Sequence, residues 1–374
     1  MSSRPVSRPG TTSLASPSSG IKITRNRQSI HTDALWQLFN RHGLSHIVDW
    51  HSLEGGDVLQ VCLKEDWLVR WLPDKDTARI QVSPEYRQSP PALRPLTEIL
   101  ICMLANPFPT EFTSLDELTM HLEMRAEIAQ AAAKTEMNFH TEAVHRPTQF
   151  WSYDEDKGFT LKAGQDLVEA LEFTTQPALS GERFSFSCYR ATEYVILLGI
   201  SKVLRQKRPK HYTELLQQWN IEPLQSSRFH EHFLLESGSL DTPFPMRFYT
   251  PGDRVWFKNP DLPSSDVAGY EGSWVIYLGQ GKFTNFWDKQ KPFSLMTKCV
   301  EVYHWRDGLS SDAVGMATID ETLVAQEVAK TLQNQDRLAL IADNMMRYRD
   351  PAGVYENGGC IDASRESPLI HFSL

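Results

Sequence analysis

The feature that most constrains this chain is the largely apolar segment Ala191–Leu204, which closely follows the aromatic stretch Phe184-Ser185-Phe186-Ser187-Cys188. The alternating stretch predicts a short strand, and the run after it predicts a helix that is apolar all round and therefore buried. Gly199 lies inside this helix, which favours a point where another element packs closely against it. Cys188 stands at the junction of the two elements.

The composition is that of a globular protein with a sizeable core. The chain has 374 residues, of which 41% are hydrophobic and 23% charged, room for one large domain or two modest ones. The net charge of −9 argues against a general nucleic-acid binder, which usually carries a basic field. No apolar run approaches the roughly 20 residues that span a bilayer, so we expect no membrane span. The oligomeric state is not indicated.

Five cysteines occur, without a CxxC pair. Neither a zinc ribbon nor a disulfide scaffold is predicted, and a reducing compartment fits best. The N-terminal segment has no signal-peptide hydrophobic stretch, so we expect cytoplasmic synthesis without classical secretion. Residues 1–30 are rich in Ser and Pro and predict a disordered tail, with a transit peptide or a non-classical export signal as alternatives.

The pattern divides the rest of the chain into three parts. Residues 31–90 predict a small α+β extension, residues 91–305 the main core, and residues 306–374 a C-terminal helix and an irregular tail. In the extension we expect a helix at Ala34–Phe39 and strands at Asp57–Leu63, Trp67–Leu72 and Ala78–Val82.

Two further helices have recognisable starts. Ser114 and Glu117 form a capping-box pattern before an apolar helical face, and Thr318 with Glu321 is the same kind of signal before a helix to about Tyr348.

Cys188 is the candidate nucleophile. A thiol at a helix N-terminus lies at the positive end of the helix dipole, which favours the thiolate, and papain-like enzymes use this placement. The alternative is an ordinary buried core cysteine. Cys62, Cys102, Cys299 and Cys360 are interpreted as structural.

The histidines do not single out a base. His230, His232 and His304 could each approach Cys188 in the folded chain, but none has diagnostic spacing. His230-x-His232 shares a face only on a strand, and further ligands are missing, so no metal site is predicted. No Gly-rich phosphate loop is present, and no cofactor is expected.

Four segments together resemble the spore-coat type of bacterial transglutaminase. Their order and spacing match that family over roughly residues 90–300, and Gly252-Asp253-x-x-x-Phe257-Lys258-Asn259-Pro260 is the most specific piece. The segments are Phe112–Leu118 continuing to Ala131–Thr135, Phe184–Cys188, Gly252–Asp261 and Tyr270–Gly279.

The resemblance implies an α+β fold with a papain-like core of the NlpC/P60 kind, in which the nucleophile helix packs on an antiparallel sheet. It also implies isopeptide bond formation between protein glutamine and lysine side chains, without a cofactor. The partners would be proteins with accessible Gln and Lys, and the family's nucleophile falls on Cys188.

The family's polar partners are replaced in this sequence. Ser187 stands where the family has a Glu before its cysteine, Ser273 stands at its second catalytic carboxylate, and Phe286 stands at a His. Residues two apart on a strand share a face, so Glu271 could present a carboxylate beside Ser273, and Asp288 could do so beside the Phe286 position. We take Cys188, Glu271 and Ser273 as the candidate catalytic residues.

Three functions remain open from the sequence. Attack by an amine on a Cys188 thioester gives transamidation, and attack by water gives a glutamine deamidase. A catalytically diverged binding or structural member of the same fold is the rival. For catalysis, backbone N–H groups at the start of the Cys188 helix are the natural oxyanion donors.

Overall fold

The computed structural model describes residues 19–24, 32–82, 84–140, 145–155, 158–223, 226–312, 315–350 and 358–369. Within these ranges the strands are β1 (Ile21–Thr24), β2 (Val48–Leu53), β3 (Val58–Leu63), β4 (Thr110–Phe112), β5 (Asn138–Phe139), β6 (Trp151–Asp154), β7 (Gly158–Leu161), β8 (Ser185–Phe186), β9 (Leu234–Ser237), β10 (Arg254–Lys258), β11 (Gly272–Gly279), β12 (Lys282–Phe283), β13 (Leu309–Ser311), β14 (Ala317–Ile319) and β15 (Arg365–Pro368).

The helices in the same ranges are α1 (Thr32–Arg41), α2 (Glu65–Trp71), α3 (Pro84–Gln88), α4 (Arg94–Ala105), α5 (Leu115–Lys134), α6 (Leu167–Thr175), α7 (Pro177–Ser180), α8 (Cys188–Lys207), α9 (Pro209–Ile221), α10 (Ser226–Phe233), α11 (Leu262–Ser265), α12 (Leu295–His304), α13 (Glu321–Leu332) and α14 (Gln335–Met345). None of these helices combines the length and apolar character needed to cross a membrane.

The centre of the molecule is an antiparallel sheet in the order β12-β11-β10-β15-β9. Helix α8 packs against β11, and α5 packs against both α8 and β11. A mixed α+β fold is therefore confirmed, with the helix that begins at Cys188 lying on an antiparallel sheet. The relation to NlpC/P60 proteins stays a prediction.

Helix α8 is buried as its sequence predicts. Every residue from Ala191 to Ser201 is buried, and side chains from α5, α6 and the sheet surround them in one core cluster. The predicted close contact is at Gly199. A Cβ atom there would lie 2.4 Å from Ile128 Cγ1 and 2.7 Å from the Ile128 backbone nitrogen on α5. Only glycine lets the two helix backbones approach this closely.

The N-terminal part forms a second sheet in the order β2-β3-β1-β4, with its own core. The predicted helix and the first predicted strand of the extension are confirmed as α1 and β3. The expected disorder of residues 1–30 is wrong for β1, because Ile21 and Ile23 are fully buried and their strand pairs with β3 and β4. Residues 1–18 and 25–30 of that predicted tail lie outside the described residues.

Two expected strands of the extension are wrong. Trp67–Leu72 falls in α2, where acidic residues occupy the first turn and the rings of Trp67 and Trp71, one helical turn apart, pack edge to face at 5.3 Å. Ala78–Val82 lies in the 3₁₀ segment Thr77–Val82.

The expectation of one continuous C-terminal helix is also wrong, because the segment forms two helices. Its residues make α13 and α14, because the Asn334 side chain accepts a hydrogen bond from the Arg337 N–H and starts a second helix. The residues after them are not all irregular, since β15 inserts between β10 and β9. The boundaries of the four predicted parts stay a prediction.

A buried carboxyl group connects α4 to the central sheet. Glu98 accepts a hydrogen bond from the Gln280 backbone N–H at 2.7 Å and one from the Tyr86 hydroxyl at 3.3 Å. Burial raises the pKa of Glu98 to about 7, although both hydrogen bonds act in the opposite direction.

Gly199→Ala should destabilise the fold by about 1–3 kcal/mol, because the added methyl group overlaps the backbone of Ile128. Helix propensity alone predicts the opposite sign, a gain of about 1 kcal/mol. Urea unfolding measures the change. Gln206→Ala, on an exposed position of the same helix, is the control and should change stability by less than about 0.5 kcal/mol. Equal stability of the two variants would contradict the close contact.

The stability of the fold should fall as the pH rises, because Glu98 then loses its proton. A carboxyl group with a raised pKa holds its proton more tightly in the folded state, so its contribution is present below its ordinary value of 4.5 and is lost as the pH rises through about 7. Relative to Glu98→Gln, the free energy of unfolding of the wild type should drop by about 2–3 kcal/mol between pH 4.5 and pH 8. Urea unfolding at both pH values tests this, and parallel curves would contradict it.

Candidate active site

Cys188 is the first residue of α8. The Ser187 side chain caps the helix by accepting a hydrogen bond from the Arg190 N–H at 3.3 Å. The Cys188 sulfur accepts a hydrogen bond from the Trp274 backbone N–H of β11 at 3.5 Å. Ser187 therefore fixes where the helix starts, and the sheet fixes where the sulfur lies.

Burial raises the pKa of the Cys188 thiol. The Trp274 N–H, the positive charge of Lys298 and the Tyr189 N–H lower it, and the negative charge of Glu271 raises it further. The helix start does favour the thiolate through the Tyr189 N–H, as expected, but desolvation outweighs the favourable groups and the pKa of Cys188 is raised overall. At neutral pH the resting group is the protonated thiol.

Cys188 opens into a pocket with aromatic walls. The Phe139 ring packs edge to face against Trp287 at 5.2 Å and against Tyr270 at 5.8 Å, and Tyr270 packs against Trp305 at 5.2 Å. These rings form aromatic walls beside the sulfur. The residues lining this pocket are Phe139, Cys188, Gly269, Tyr270, Gly272, Ser273, Trp287, Lys298, Glu301, Trp305 and Glu321.

Charged groups of α12 and α13 complete the pocket. The Lys298 ammonium is 2.5 Å from a Glu301 carboxylate oxygen. The Tyr270 hydroxyl donates to Glu321 at 2.5 Å, and burial of that carboxyl end raises the pKa of Glu321 although the residue as a whole is exposed at the rim. The pocket thus joins one thiol, one ammonium and two carboxyl groups.

The structure brings only part of the predicted constellation together. Ser273 is buried and lines the pocket with Cys188. Glu271 is exposed and is not among the lining residues, but its charge acts on Cys188. Phe286 lies in the core around α8, and Asp288 forms an ion pair with Lys291 at 2.9 Å.

The candidate histidines lie elsewhere. His304 is buried, with Nδ1 2.5 Å from an Asp307 carboxylate oxygen and Nε2 2.8 Å from the Thr331 hydroxyl. His230 lies 3.2 Å from a Glu366 oxygen. No histidine is among the described residues that line the pocket.

One group of metal-ligand types occurs in the described part of the chain, formed by His304, Asp307 and Glu327. Glu327 is already bound to Lys330 at 2.6 Å and to Arg337 at 2.8 Å, and both His304 ring nitrogens have partners. The group is interpreted as a network of hydrogen bonds and ion pairs that holds α12, α13 and α14 together.

A buried arginine packs against two residues that adjoin the Cys188 sulfur. Arg254 is 1% exposed and forms an ion pair with Glu366, its register partner on β15. Its guanidinium lies over the rings of Tyr189 at 4.8 Å and Trp274 at 4.6 Å, the residues that follow Cys188 and hydrogen-bond to it. Desolvation lowers the pKa of Arg254, but the hydrogen bond and charge of Glu366 prevail and raise it.

The Asn-Pro motif shapes the pocket indirectly. The Asn259 amide nitrogen donates to the Ser264 hydroxyl and to the Tyr270 carbonyl, both at 2.9 Å, and its oxygen accepts from the Asp261 N–H at 3.1 Å. These bonds position Tyr270 just before β11. The motif is therefore structural and sets one pocket wall.

Sequence reasoning missed Lys298, Glu301 and Glu321. The first two lie one helical turn apart on α12. The available signal was a lysine among the mostly apolar buried positions of that helix, with a glutamate three residues later. Glu321 was recognised only as part of a capping pattern, yet Asp320 is the residue that caps α13.

The family-model comparison agrees with the resemblance. A family model described as TGL, protein-glutamine gamma-glutamyltransferase, matches residues 79–358. A solved structure of a transglutaminase from Geobacillus stearothermophilus, without its C-terminal extension, aligns at 16% identity and a TM-score of 0.37, over 68% of this chain and 94% of that chain. No matching relative was found among curated protein sequences.

The raised pKa of Cys188 predicts its reactivity. Alkylation by iodoacetamide should be slow at pH 7 and should keep accelerating above pH 9, because only the thiolate reacts. The other four cysteines are buried, so Cys188, which is half-buried, should be labelled first. Peptide mapping of the labelled protein between pH 6 and pH 10 measures this, with Cys188→Ala as the blank. A rate that reaches its plateau below pH 8 would contradict the prediction.

Proposed function

Because the chain belongs to the protein-glutamine gamma-glutamyltransferase family, whose activity is acyl transfer from protein glutamine, we propose that Cys188 is its nucleophile and that a lysine or other primary amine is the acceptor. The observation that carries this proposal is the position of Cys188: first in α8, hydrogen-bonded to β11, and open to a pocket that also holds Lys298 and Ser273. The papain-like arrangement of nucleophile helix and sheet is part of the same proposal.

In the first half-reaction the Cys188 thiolate attacks the γ-carbonyl carbon of glutamine. Charge then develops on the carbonyl oxygen, and the backbone N–H groups at the start of α8 and at Trp274 are the donors that face this position. As the carbon–nitrogen bond breaks, the departing nitrogen takes up one proton and leaves as ammonia. A thioester remains on Cys188.

In the second half-reaction the nitrogen of a neutral amine attacks the thioester. The product is an isopeptide or substituted amide, and Cys188 is released as thiolate. Attack by water would yield glutamate instead. The aromatic walls of the pocket favour the amine by restricting water.

Two further roles follow from position. The Glu271 carboxylate, whose charge acts on Cys188, is assigned to accept the thiol proton and pass it to solvent. The Ser273 hydroxyl, in the pocket wall, is assigned to hydrogen-bond the substrate carboxamide.

Because Glu271 is assigned to accept the thiol proton, Glu271→Gln should slow Cys188-dependent turnover, and unchanged turnover would remove Glu271 from the mechanism.

The direct test measures ammonia release and labelled-amine incorporation with a glutamine-rich protein such as casein. Cys188→Ala should abolish both, because no thioester can form. Cys62→Ala, which removes a buried thiol from the N-terminal sheet, is the matched control and should retain both activities.

The possible outcomes separate the alternatives. Incorporation that depends on Cys188 supports the transglutaminase. Ammonia release without incorporation identifies a deamidase. Neither signal above the Cys188→Ala background, over several substrates and pH values, would contradict the proposal and favour a diverged binding member of the family.

A further inference from the structure

Lys298 is an unusual residue for its position. Its side chain is 4% exposed, on a helix that packs against α13, α14 and β10. Burying an ammonium group is costly unless it is paired, and it is seldom retained without a compensating role. The same side chain lines the pocket that contains Cys188.

The Lys298 ammonium has two partners in the structure. Glu301 supplies a carboxylate oxygen at 2.5 Å, and the ammonium nitrogen lies 4.1 Å from the centre of the Phe293 ring. Both contacts fix the direction of the amine, because Glu301 is one helical turn away and Phe293 lies just before the start of α12. The ammonium is therefore oriented by its neighbours before any substrate arrives.

We propose that Lys298 is the cationic partner of the Cys188 thiolate and the proton carrier of the acyl transfer, with Glu301 as its positioning residue. This assignment rests on the proposed function. It explains how the site operates although Ser187, Ser273 and Phe286 stand where the family has two carboxylates and a histidine.

The proton balance closes with a single lysine. As the carbon–nitrogen bond of the tetrahedral adduct breaks, the Lys298 ammonium gives one proton to the departing nitrogen, which leaves as ammonia, and Lys298 becomes a neutral amine. When the second substrate attacks the thioester, its nitrogen gives one proton to Lys298. The Cys188 sulfur leaves with its electron pair, so the thiolate and the ammonium are both restored.

Other charged groups around the sulfur do not replace this role. The titratable groups around Cys188 from neighbouring elements are Glu271 before β11, Tyr270, Glu301 on α12 and Glu321 on α13. Arg254 is bound by Glu366 behind the rings of Tyr189 and Trp274. Lys298 is the one cation among the described residues that line the pocket.

The test compares Lys298→Met and Lys298→Arg. The measurements are the pH profile of Cys188 alkylation by iodoacetamide and labelled-amine incorporation on casein. Lys202→Met is the matched control: Lys202 is 19% exposed and ion-paired with Glu172 at 2.7 Å, but it lies near the other end of α8.

Lys298→Met should shift the alkylation profile upward by about one pH unit, so that alkylation at pH 8 is about tenfold slower. Lys298→Arg keeps the charge, so its profile should stay within about twofold of the wild type. It should nevertheless lose incorporation by at least about tenfold, because arginine does not give up its proton. Lys202→Met should match the wild type in both measurements.

A Lys298→Met profile that superimposes on the wild type would overturn the charge role, and full incorporation by Lys298→Arg would overturn the proton role. Thermal unfolding checks that each variant folds. If Lys298→Met does not fold, the outcomes for Lys298→Arg and Glu301→Gln decide whether the proposal stands. Glu301→Gln should lower amine incorporation, while Cys188 should still be labelled by iodoacetamide. Because alkylation needs no substrate, the charge role is tested independently of the proposed function, which fails separately if Cys188→Ala retains incorporation or if the wild type shows none.

Discussion

The buried ion pair between Arg254 and Glu366 holds together the parts of the chain that form the site. It joins β10 to β15 in the middle of the sheet, where the two residues are register partners. The guanidinium also packs against the rings of Tyr189, which follows Cys188 in the chain, and Trp274, whose N–H donates to the Cys188 sulfur. A pair this deeply buried is not in itself a source of stability, but breaking it typically costs about 3–5 kcal/mol. Its effect is positional, since helix α8 and strand β11 meet at this cation.

The site combines a protected thiol with a fixed cation. Burial among aromatic rings keeps Cys188 protonated at rest, which limits unwanted reactions, while the same dry surroundings strengthen every charge that acts on the sulfur. Lys298 and Glu301 belong to α12, far along the chain from the cysteine. The charged groups that line the pocket with Cys188 are thus held by helices α12 and α13. The Asn259 amide holds the backbone of Tyr270, which forms part of the pocket wall.

The sequence was most informative where structure is determined locally. The Ser114 cap, the burial of α8 and the close approach at Gly199 follow from neighbouring residues, and all three are observed. The placement of Ser273 beside Cys188 was predictable only through the family resemblance. Strand β15 and the pocket position of Lys298 depend on contacts between distant segments, which no periodicity encodes. Helix α2 was mistaken for a strand because two tryptophans at helical spacing also suit a strand pattern.

The place of β15 in the sheet has a consequence for the order of synthesis. Glu366 comes 112 residues after Arg254, so the ribosome has made α8, β10 and β11 long before the carboxylate that neutralises Arg254 exists. Until residues 365–368 emerge, β9 and β10 have no strand between them, and the cation beneath Tyr189 and Trp274 lacks its counter-ion. The strand that joins β9 to β10 and supplies the counter-ion of the buried arginine is therefore made after both of its neighbours in the sheet.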